Sequence, residues 1–423
     1  MKKRFSYLLV CLFVFMSSII VAQDKTELTF KENLKEAKKG NVDAQLQVGF
    51  CYYNGKDVTK NYKKAFFWWK KAAEQENASA QYNLGLYYYN DNGNSNGVTK
   101  DLKKSFYWYS KAADAGDVDS QVWIGYFYYN GLGVVKDLKK SFYWYNKAAE
   151  GGNVFSQSRL GLCYYNGVGI LKDLKKSFSW YKKAAEQGYE SAQSQLGYCY
   201  YNGEGVLKDL KKSFSWYKKA AAQGNVSSQS QLGYCYFYGD GVLKDLKKSF
   251  QWYKKAAEQG DLTSQSQLGY CYFYGEGVLK DLNQAIFWYK KSAEKGSAFS
   301  QSKLGYCYFY GKGVLKDLNN AFFWYKKAAE QGNVDSQAKL GYCYCNGKGV
   351  AEDLNKAFYW YIKAAEQDNA YSQYCLGILY INGFGCEKNL YKAAVWTKKA
   401  YDNGNEKASK IWEDNELWKY SDK

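Results

Sequence analysis

The sequence predicts an all-α protein, an α/α solenoid of helix–turn–helix units, and three observations carry that prediction. The chain is periodic, it lacks proline, and each period holds two apolar stripes at helical spacing. Trp68, Trp108, Trp144, Trp180, Trp216, Trp252, Trp288, Trp324, Trp360 and Trp396 stand 36 residues apart, with a single step of 40. Gly49, Gly85, Gly125, Gly161, Gly197, Gly233, Gly269, Gly305, Gly341 and Gly377 keep the same interval. Residues 41–404 therefore hold ten units of 36 residues, with four extra residues in the Asn- and Gly-rich stretch Asn90–Gly97. Units of this length cannot bury an apolar face alone and stack on their neighbours. Ordinary usage would place about 21 prolines in 423 residues, and there is none. Proline removes a donor and breaks helices, so a chain without it suits unbroken helical packing.

The elements follow in chain order. Residues 1–22 read as an export signal: Lys2, Lys3 and Arg4 precede an apolar run from Tyr7 to Val21, and Ala22 precedes a polar stretch. The run is shorter than the roughly 18–20 residues of a membrane span. Leu9 and Val10 before Cys11 lack the small residue of a lipoprotein signal. Cleavage after Ala22 would deliver the chain to the periplasm, or outside the cell as a secreted protein, with no membrane span left on it. Residues 23–40 then form a capping half-repeat, and residues 405–423 a polar capping helix and tail.

Gly188 to Gly224 is the clearest unit. Ala192, Leu196, Cys199, Tyr200 and Gly203 fall on one helical stripe. Gly197 lies inside it, where glycine costs roughly 1 kcal/mol against alanine, so its recurrence predicts a close helix approach. Gly203 and Gly205 flank a turn. Asp209, whose counterparts from Asn61 to Asn389 are all Asp or Asn, caps a second helix. Ser213, Trp216, Tyr217, Ala220 and Ala221 form the second stripe, and Gly224 ends it. The recurring tryptophan is expected to be a buried ring whose truncation costs about 3–5 kcal/mol.

The pattern Ala192-Gln193-x-x-Leu196-Gly197-x-x-Tyr200-x-x-Gly203-x-Gly205-Val206, followed by Asp209, Lys212, Trp216 and Lys219-Ala220-Ala221 up to Gly224, resembles the Sel-one-like repeat. That family is a relative of the tetratricopeptide repeats. The resemblance recurs through residues 41–404 and implies a right-handed α/α superhelix used mainly for protein–protein assembly. It implies an adaptor in place of an enzyme, with the first helices lining a concave groove. Cysteine-rich secreted members carry paired cysteines within or between adjacent helices, a pairing this chain lacks. Some members have been connected with β-lactam hydrolysis.

Composition narrows the chemistry. There is no histidine, which removes Ser-His-Asp and Cys-His catalysis, imidazole metal ligation and an imidazole pH switch. Cys51, Cys163, Cys199, Cys235, Cys271, Cys307 and Cys343 share one position, two residues after the repeat glycine. Stacked counterparts would lie about 10 Å apart, whereas a disulfide needs Cα atoms within about 7 Å. Free core thiols and no disulfide are expected, and neither a metal site nor a cofactor. Gln45, Gln81, Gln121 and onward to Gln373 recur once per unit and predict a hydrogen bond between units. Ser-x-x-Lys occurs at Ser179–Lys182, Ser215–Lys218 and Ser292–Lys295. The companion elements of a serine acyl-enzyme are missing, so a β-lactam-type hydrolase is the weakest alternative and no catalytic residue is assigned. The net charge of +18 comes from lysine pairs such as Lys211-Lys212 and Lys218-Lys219. Bidentate reading of phosphate or guanine uses arginine, and Arg159 is the one arginine after the export signal. Specific nucleic-acid binding is therefore not expected, and the lysines read as a solvated face.

The candidate site is aromatic. Tyr198, Tyr234, Tyr270, Tyr306 and Tyr342 follow the repeat glycine, and Tyr201, Phe237, Phe273 and Phe309 stand three residues further on the same helical side. Cys345 breaks the series. These rings would floor the groove for peptide side chains, or alternatively for the apolar faces of sugars. The same rings could instead pack between adjacent first helices. Units from Gly161 to about Gly332 are near copies, whereas a catalytic constellation needs unlike residues converging at one place. The expectation is an exported scaffold for protein partners, with cell-envelope glycan (peptidoglycan or polysaccharide) as the alternative ligand.

Overall fold

The computed structural model describes residues 29–90 and 99–420. The export-signal segment, the first residues of the N-terminal cap, most of the Asn90–Gly97 insertion and the last three residues lie outside the described residues. Among the described residues the chain forms twenty-two α-helices, one short 3-10 helix and no strand. It divides into two compact units, residues 1–209 and 210–423.

The first unit contains α1 (Phe30–Lys38), α2 (Val42–Asn54), α3 (Tyr62–Glu74), α4 (Ala78–Tyr89), α5 (Leu102–Asp114), α6 (Val118–Asn130), α7 (Leu138–Glu150), α8 (Val154–Asn166), α9 (Leu174–Glu186) and α10 (Glu190–Asn202). The second contains α11 (Leu210–Ala222), α12 (Val226–Tyr238), α13 (Leu246–Glu258), α14 (Leu262–Tyr274), α15 (Leu282–Glu294), α16 (Ala298–Tyr310), α17 (Leu318–Glu330), α18 (Val334–Cys345), α19 (Leu354–Ala365), α20 (Ala370–Asn382), α21 (Leu390–Asp402) and α22 (Lys407–Asp414). Even-numbered helices from α2 to α20 are the first of each pair, and odd-numbered helices from α3 to α21 are the second. This tandem array of helical hairpins is an α/α solenoid.

Local chemistry sets the helix ends. Asp245 accepts from the Lys248 amide at 3.0 Å and Asp317 from the Asn320 amide at 2.9 Å. These bonds satisfy donors that a helix start leaves orphaned. Asn61, Asp101, Asp137, Asp173, Asp281, Asp353 and Asn389 do the same for their own second helices. While α4 and α18 end on Asn90 and Asn346, most first helices end on a left-handed glycine, such as Gly275 at φ +80°, a conformation that a β-carbon disfavours. Two residues on, Gly277 packs so tightly on the Leu246 carbonyl of the preceding repeat that a β-carbon would overlap it. That turn glycine therefore serves stacking as well as turning.

The repeat glycine meets a ring. A β-carbon on Gly269 would lie 2.6 Å from Cδ1 of Tyr289, and one on Gly305 would lie 2.6 Å from Cδ1 of Tyr325. The first helix closes onto the second because that tyrosine needs the space a side chain would take. In the first repeat Trp69 takes the tyrosine's place over Gly49, and in the last Thr397 faces Gly377.

In most repeats the ring that fills the core is thus the tyrosine after the recurring tryptophan, which corrects the expectation for Trp216 and seven of its counterparts, while Trp68 and Trp288 are buried as expected. Tyr109, Tyr145, Tyr181, Tyr253, Tyr289, Tyr325 and Tyr361 are buried. Trp108, Trp144, Trp180, Trp216, Trp252, Trp324, Trp360 and Trp396 are half-buried. One residue is about 100° of helical rotation, enough to move the indole to the stripe's edge. There a lysine three residues on covers its face, as Lys219 does at 4.0 Å from Trp216.

The glutamine ladder joins repeats as the sequence predicts. Gln301 donates to the Ala293 carbonyl at 3.0 Å and Gln265 to the Ala257 carbonyl at 3.0 Å, each crossing to the second helix of the preceding repeat. Gln301 also accepts from Gln331 at 2.6 Å and Gln229 from Gln259 at 2.7 Å, closing the ladder within its own repeat. Edge-to-face rings reinforce the same junctions: Phe250 meets Tyr272 at 5.2 Å and Phe322 meets Tyr344 at 5.3 Å. At the N-terminal end, α1 has a Thr29–Glu32 capping box and receives Gln45 on its Ala37 carbonyl. At the C-terminal end, α22 and the 3-10 turn Leu417–Tyr420 bury Leu417 beside Tyr380 and Ala394.

Candidate binding face

The second unit gathers aromatic side chains on one side of α12, α14, α16 and α18. Tyr234 and Tyr238 lie 4.5 Å apart, Tyr270 and Tyr274 4.5 Å apart, and Tyr306 and Tyr310 4.7 Å apart, each pair one turn apart on its helix. Between helices, Phe237 meets Tyr270 at 6.1 Å, Phe273 meets Tyr306 at 6.2 Å and Phe309 meets Tyr342 at 6.1 Å, all edge to face. The rings make one continuous ladder from Tyr234 to Tyr342. Each edge-to-face contact suits the ring quadrupoles.

The ladder has an inner and an outer rail. Phe273 is buried, and Phe237 and Phe309 are half-buried. Phe273 also touches core Tyr289 at 6.4 Å, and Phe309 touches core Tyr325 at 6.4 Å. Tyr234 and Tyr306 are exposed, and Tyr270 and Tyr342 are half-buried. In the first unit, Tyr198 is exposed and meets Tyr165 at 6.5 Å, while Tyr201 lies beneath Lys208 at 5.5 Å.

The most exposed rings of this face escaped the sequence reading. Tyr238, Tyr274 and Tyr310 are 60%, 49% and 45% exposed. Their counterparts Asn130, Asn166, Asn202, Asn346 and Asn382 turn back to donate to a carbonyl one turn earlier. Three consecutive repeats give up that local bond for a solvent-facing ring. The signal was present as Tyr-Gly in place of Asn-Gly at Tyr238, Tyr274 and Tyr310.

Lysines border this face. Lys303 donates to the Tyr274 hydroxyl at 3.4 Å, and Lys339 donates to the Tyr310 hydroxyl at 3.3 Å. Both ammonium groups also lie near ring faces, Lys303 at 5.4 Å from Phe299 and Lys339 at 5.9 Å from Tyr342. Cation and ring attract through the quadrupole.

Behind the ladder the thiols are inert packing. Burial pushes Cys235, Cys271 and Cys307 up to about 12, far from the thiolate range that nucleophiles and metal ligands need. Cys163, Cys199, Cys235, Cys271, Cys307, Cys343, Cys345, Cys375 and Cys386 are free thiols. Ser292, of one Ser-x-x-Lys match, is buried and donates to Ser300 at 2.6 Å, while Ser179 and Ser215 stand on exposed helix surface. Among the described residues no acidic, cysteine or histidine cluster is placed to hold a metal ion. None of their helices is long and apolar enough to cross a membrane.

Helical hairpins stacked through glutamine and aromatic junctions, with an aromatic side left open, define a repeat solenoid. The chain belongs to the Sel1-repeat family. The Sel1 repeat matches residues 42–77, 78–117, 118–153, 154–189, 190–225, 226–261, 263–297, 298–333, 334–369 and 370–405. Such solenoids generally act as protein–protein interaction scaffolds and are generally not enzymes. Among solved structures, the chain is similar to a protective antigen of uropathogenic Escherichia coli strains that displays an SLR fold. Identity is 33% over 93% of this chain and 91% of that one, with a TM-score of 0.69. It is also similar to a Sel1 repeat protein from Oxalobacter formigenes, at 33% identity over 72% of this chain and 88% of that one, with a TM-score of 0.57. No curated protein sequence matches the chain.

Proposed function

We propose that this protein is an exported, non-catalytic scaffold that holds a protein partner on the aromatic side of α12, α14, α16 and α18. One observation carries the reading: Tyr238, Tyr274 and Tyr310 abandon a carbonyl-capping role to stand exposed, in register, on three consecutive repeats. Aromatic rings supply much of the binding energy of protein interfaces because they bury large area at small entropic cost. Near-identical repeats favour an extended partner over a compact reacting centre. The exposed positions of Ser179 and Ser215 offer no enclosed site for an acyl-enzyme.

Photoreactive phenylalanine analogues at Tyr238 and Tyr274, with one at exposed Lys247 as control, test this in the native cell. Capture of the same protein from both tyrosine positions and not from Lys247 is the expected result. The triple variant Tyr238→Ala/Tyr274→Ala/Tyr310→Ala should bind the captured protein at least tenfold more weakly while unfolding as the parent does. Glycan adducts at the tyrosines would replace the protein partner with envelope polysaccharide. Equal labelling at Lys247 would refute a located face. Export is tested separately by the intact mass of the protein outside the cytoplasm, which should lack residues 1–22.

A further inference from the structure

At one end of the aromatic ladder a cavity of about 300 Å³ opens between α16, α18 and the start of α20. Lys303, Tyr306, Tyr325, Lys339, Asn369 and Tyr371 line it. Four of these six carry a side-chain group that only the approach of an acceptor would use fully, the two ammonium groups and the hydroxyls of Tyr306 and Tyr325, whereas the Tyr371 hydroxyl is already bonded to Cys375 and Tyr361. Among the described residues, neither Lys303 nor Lys339 forms an ion pair. Each ammonium instead rests on a tyrosine hydroxyl and on ring faces. The Tyr325 hydroxyl is buried and has no hydrogen-bond partner. A buried donor left unpaired is costly, and its ring is already committed to the space beside Gly305.

At this position, directly before the core leucine, the repeats carry a cation only at Arg159, Lys303 and Lys339, and only the last two are adjacent. Where α16 and α18 carry Lys303 and Lys339, the three preceding first helices carry Gln195, Gln231 and Gln267. Two positive charges therefore appear in adjacent repeats, beside this cavity. Asp335 is the one carboxylate in the lining. It is exposed, one turn before Lys339, and pairs with neither lysine.

Resting on the proposed protein-binding role, we propose that this cavity receives a carboxylate, presented as a glutamate or aspartate side chain by a peptide segment lying along the aromatic ladder. Lys303 and Lys339 neutralise the charge, and the buried Tyr325 hydroxyl gains in the carboxylate the acceptor it lacks. Charge-assisted bonds of this kind are stronger than neutral ones. Asp335 opposes the ligand by like charge, so its removal strengthens binding.

The probe is an acetylated, amidated decaglutamate peptide, with decaglutamine and free glutarate as comparisons, titrated calorimetrically into the full chain at 0.15 M salt. Decaglutamate is expected to bind and decaglutamine not. Lys303→Gln/Lys339→Gln restores the residue that neighbouring repeats carry, so it should fold; it should weaken binding at least tenfold. Lys247→Gln/Lys280→Gln removes the same charge from elsewhere and should change binding less than twofold. Tyr325→Phe keeps the ring and should weaken binding threefold or more, whereas Asp335→Asn should tighten it. Equal losses in the two lysine pairs would overturn the site and leave only general attraction by a basic protein. Glutarate binding as tightly as the peptide would overturn the peptide source. If tyrosine crosslinks to a protein persist while Lys303→Gln/Lys339→Gln has no effect, the carboxylate site fails and the aromatic face stands. Loss of both fails both.

Discussion

Gly269 shows how much one hydrogen atom in place of a methyl group decides. It sits in mid-helix, where alanine would ordinarily gain roughly 1 kcal/mol. The Tyr289 ring occupies the place of the missing methyl. Gly269→Ala is therefore expected to destabilise the protein by about 1–3 kcal/mol through overpacking; a gain in the denaturation midpoint would show that the ring can yield. The neighbouring position gives the complementary contrast. Tyr253→Ala empties a buried site and should cost about 3–5 kcal/mol. Trp252→Ala, at a half-buried edge, should cost at least 1 kcal/mol less in the same measurement. Asp119 adds a pH dependence. Burial first, and then the charge of Asp117, push its carboxyl up to about 6. Its folded value lies above the unfolded one, so the stabilising contribution is complete below about pH 3.9 and is lost as the pH rises through about 6. Asp119→Asn should gain roughly 1–2 kcal/mol at pH 7, after allowance for its partial exposure, and the gain should shrink toward pH 4.

At the scale of elements, the helix pair is specified by short-range chemistry and the stack by a few bonds between pairs. Gln301 spends its amide on Ala293 of the preceding repeat and its carbonyl on Gln331. Gln301→Leu fits the volume but orphans both partners, which should cost about 1–3 kcal/mol. The loss of amide-exchange protection is expected in α15 to α17, with α20 and α21 keeping theirs; a uniform loss would mean that the repeats do not open separately. The cysteine row behaves as packing for the same reason. Native protein at pH 8 should alkylate slowly at Cys235, Cys271 and Cys307, because burial holds these thiols up to about 12. Denatured, unreduced protein should take up reagent at all of them, and any that resists would be paired.

For the molecule as a whole, periodicity made most of the fold legible. A constant 36-residue interval, aspartate or asparagine before each second helix, and glycine at each turn encode structure through bonds spanning only a few residues. The glutamine ladder was legible too, since a polar residue recurring on an apolar stripe needs a partner that recurs with it. Less was legible at the candidate site. Tyr198, Tyr201, Tyr234, Phe237, Tyr270, Phe273, Tyr306, Phe309 and Tyr342 were readable as a series, but their division into a buried rail and an exposed one was not. Tyr238, Tyr274 and Tyr310 were passed over because they sit at the turn, outside the apolar stripe. The sequence by itself determined the repeat, the helices and their caps, because each depends on neighbours within about one turn. Tertiary structure alone decided that in most repeats tyrosine rather than the recurring tryptophan fills the core, which rings face solvent, and that Lys303, Lys339 and Tyr325 meet at one cavity. A residue at the edge of an apolar stripe has no inside or outside until another helix is laid against it.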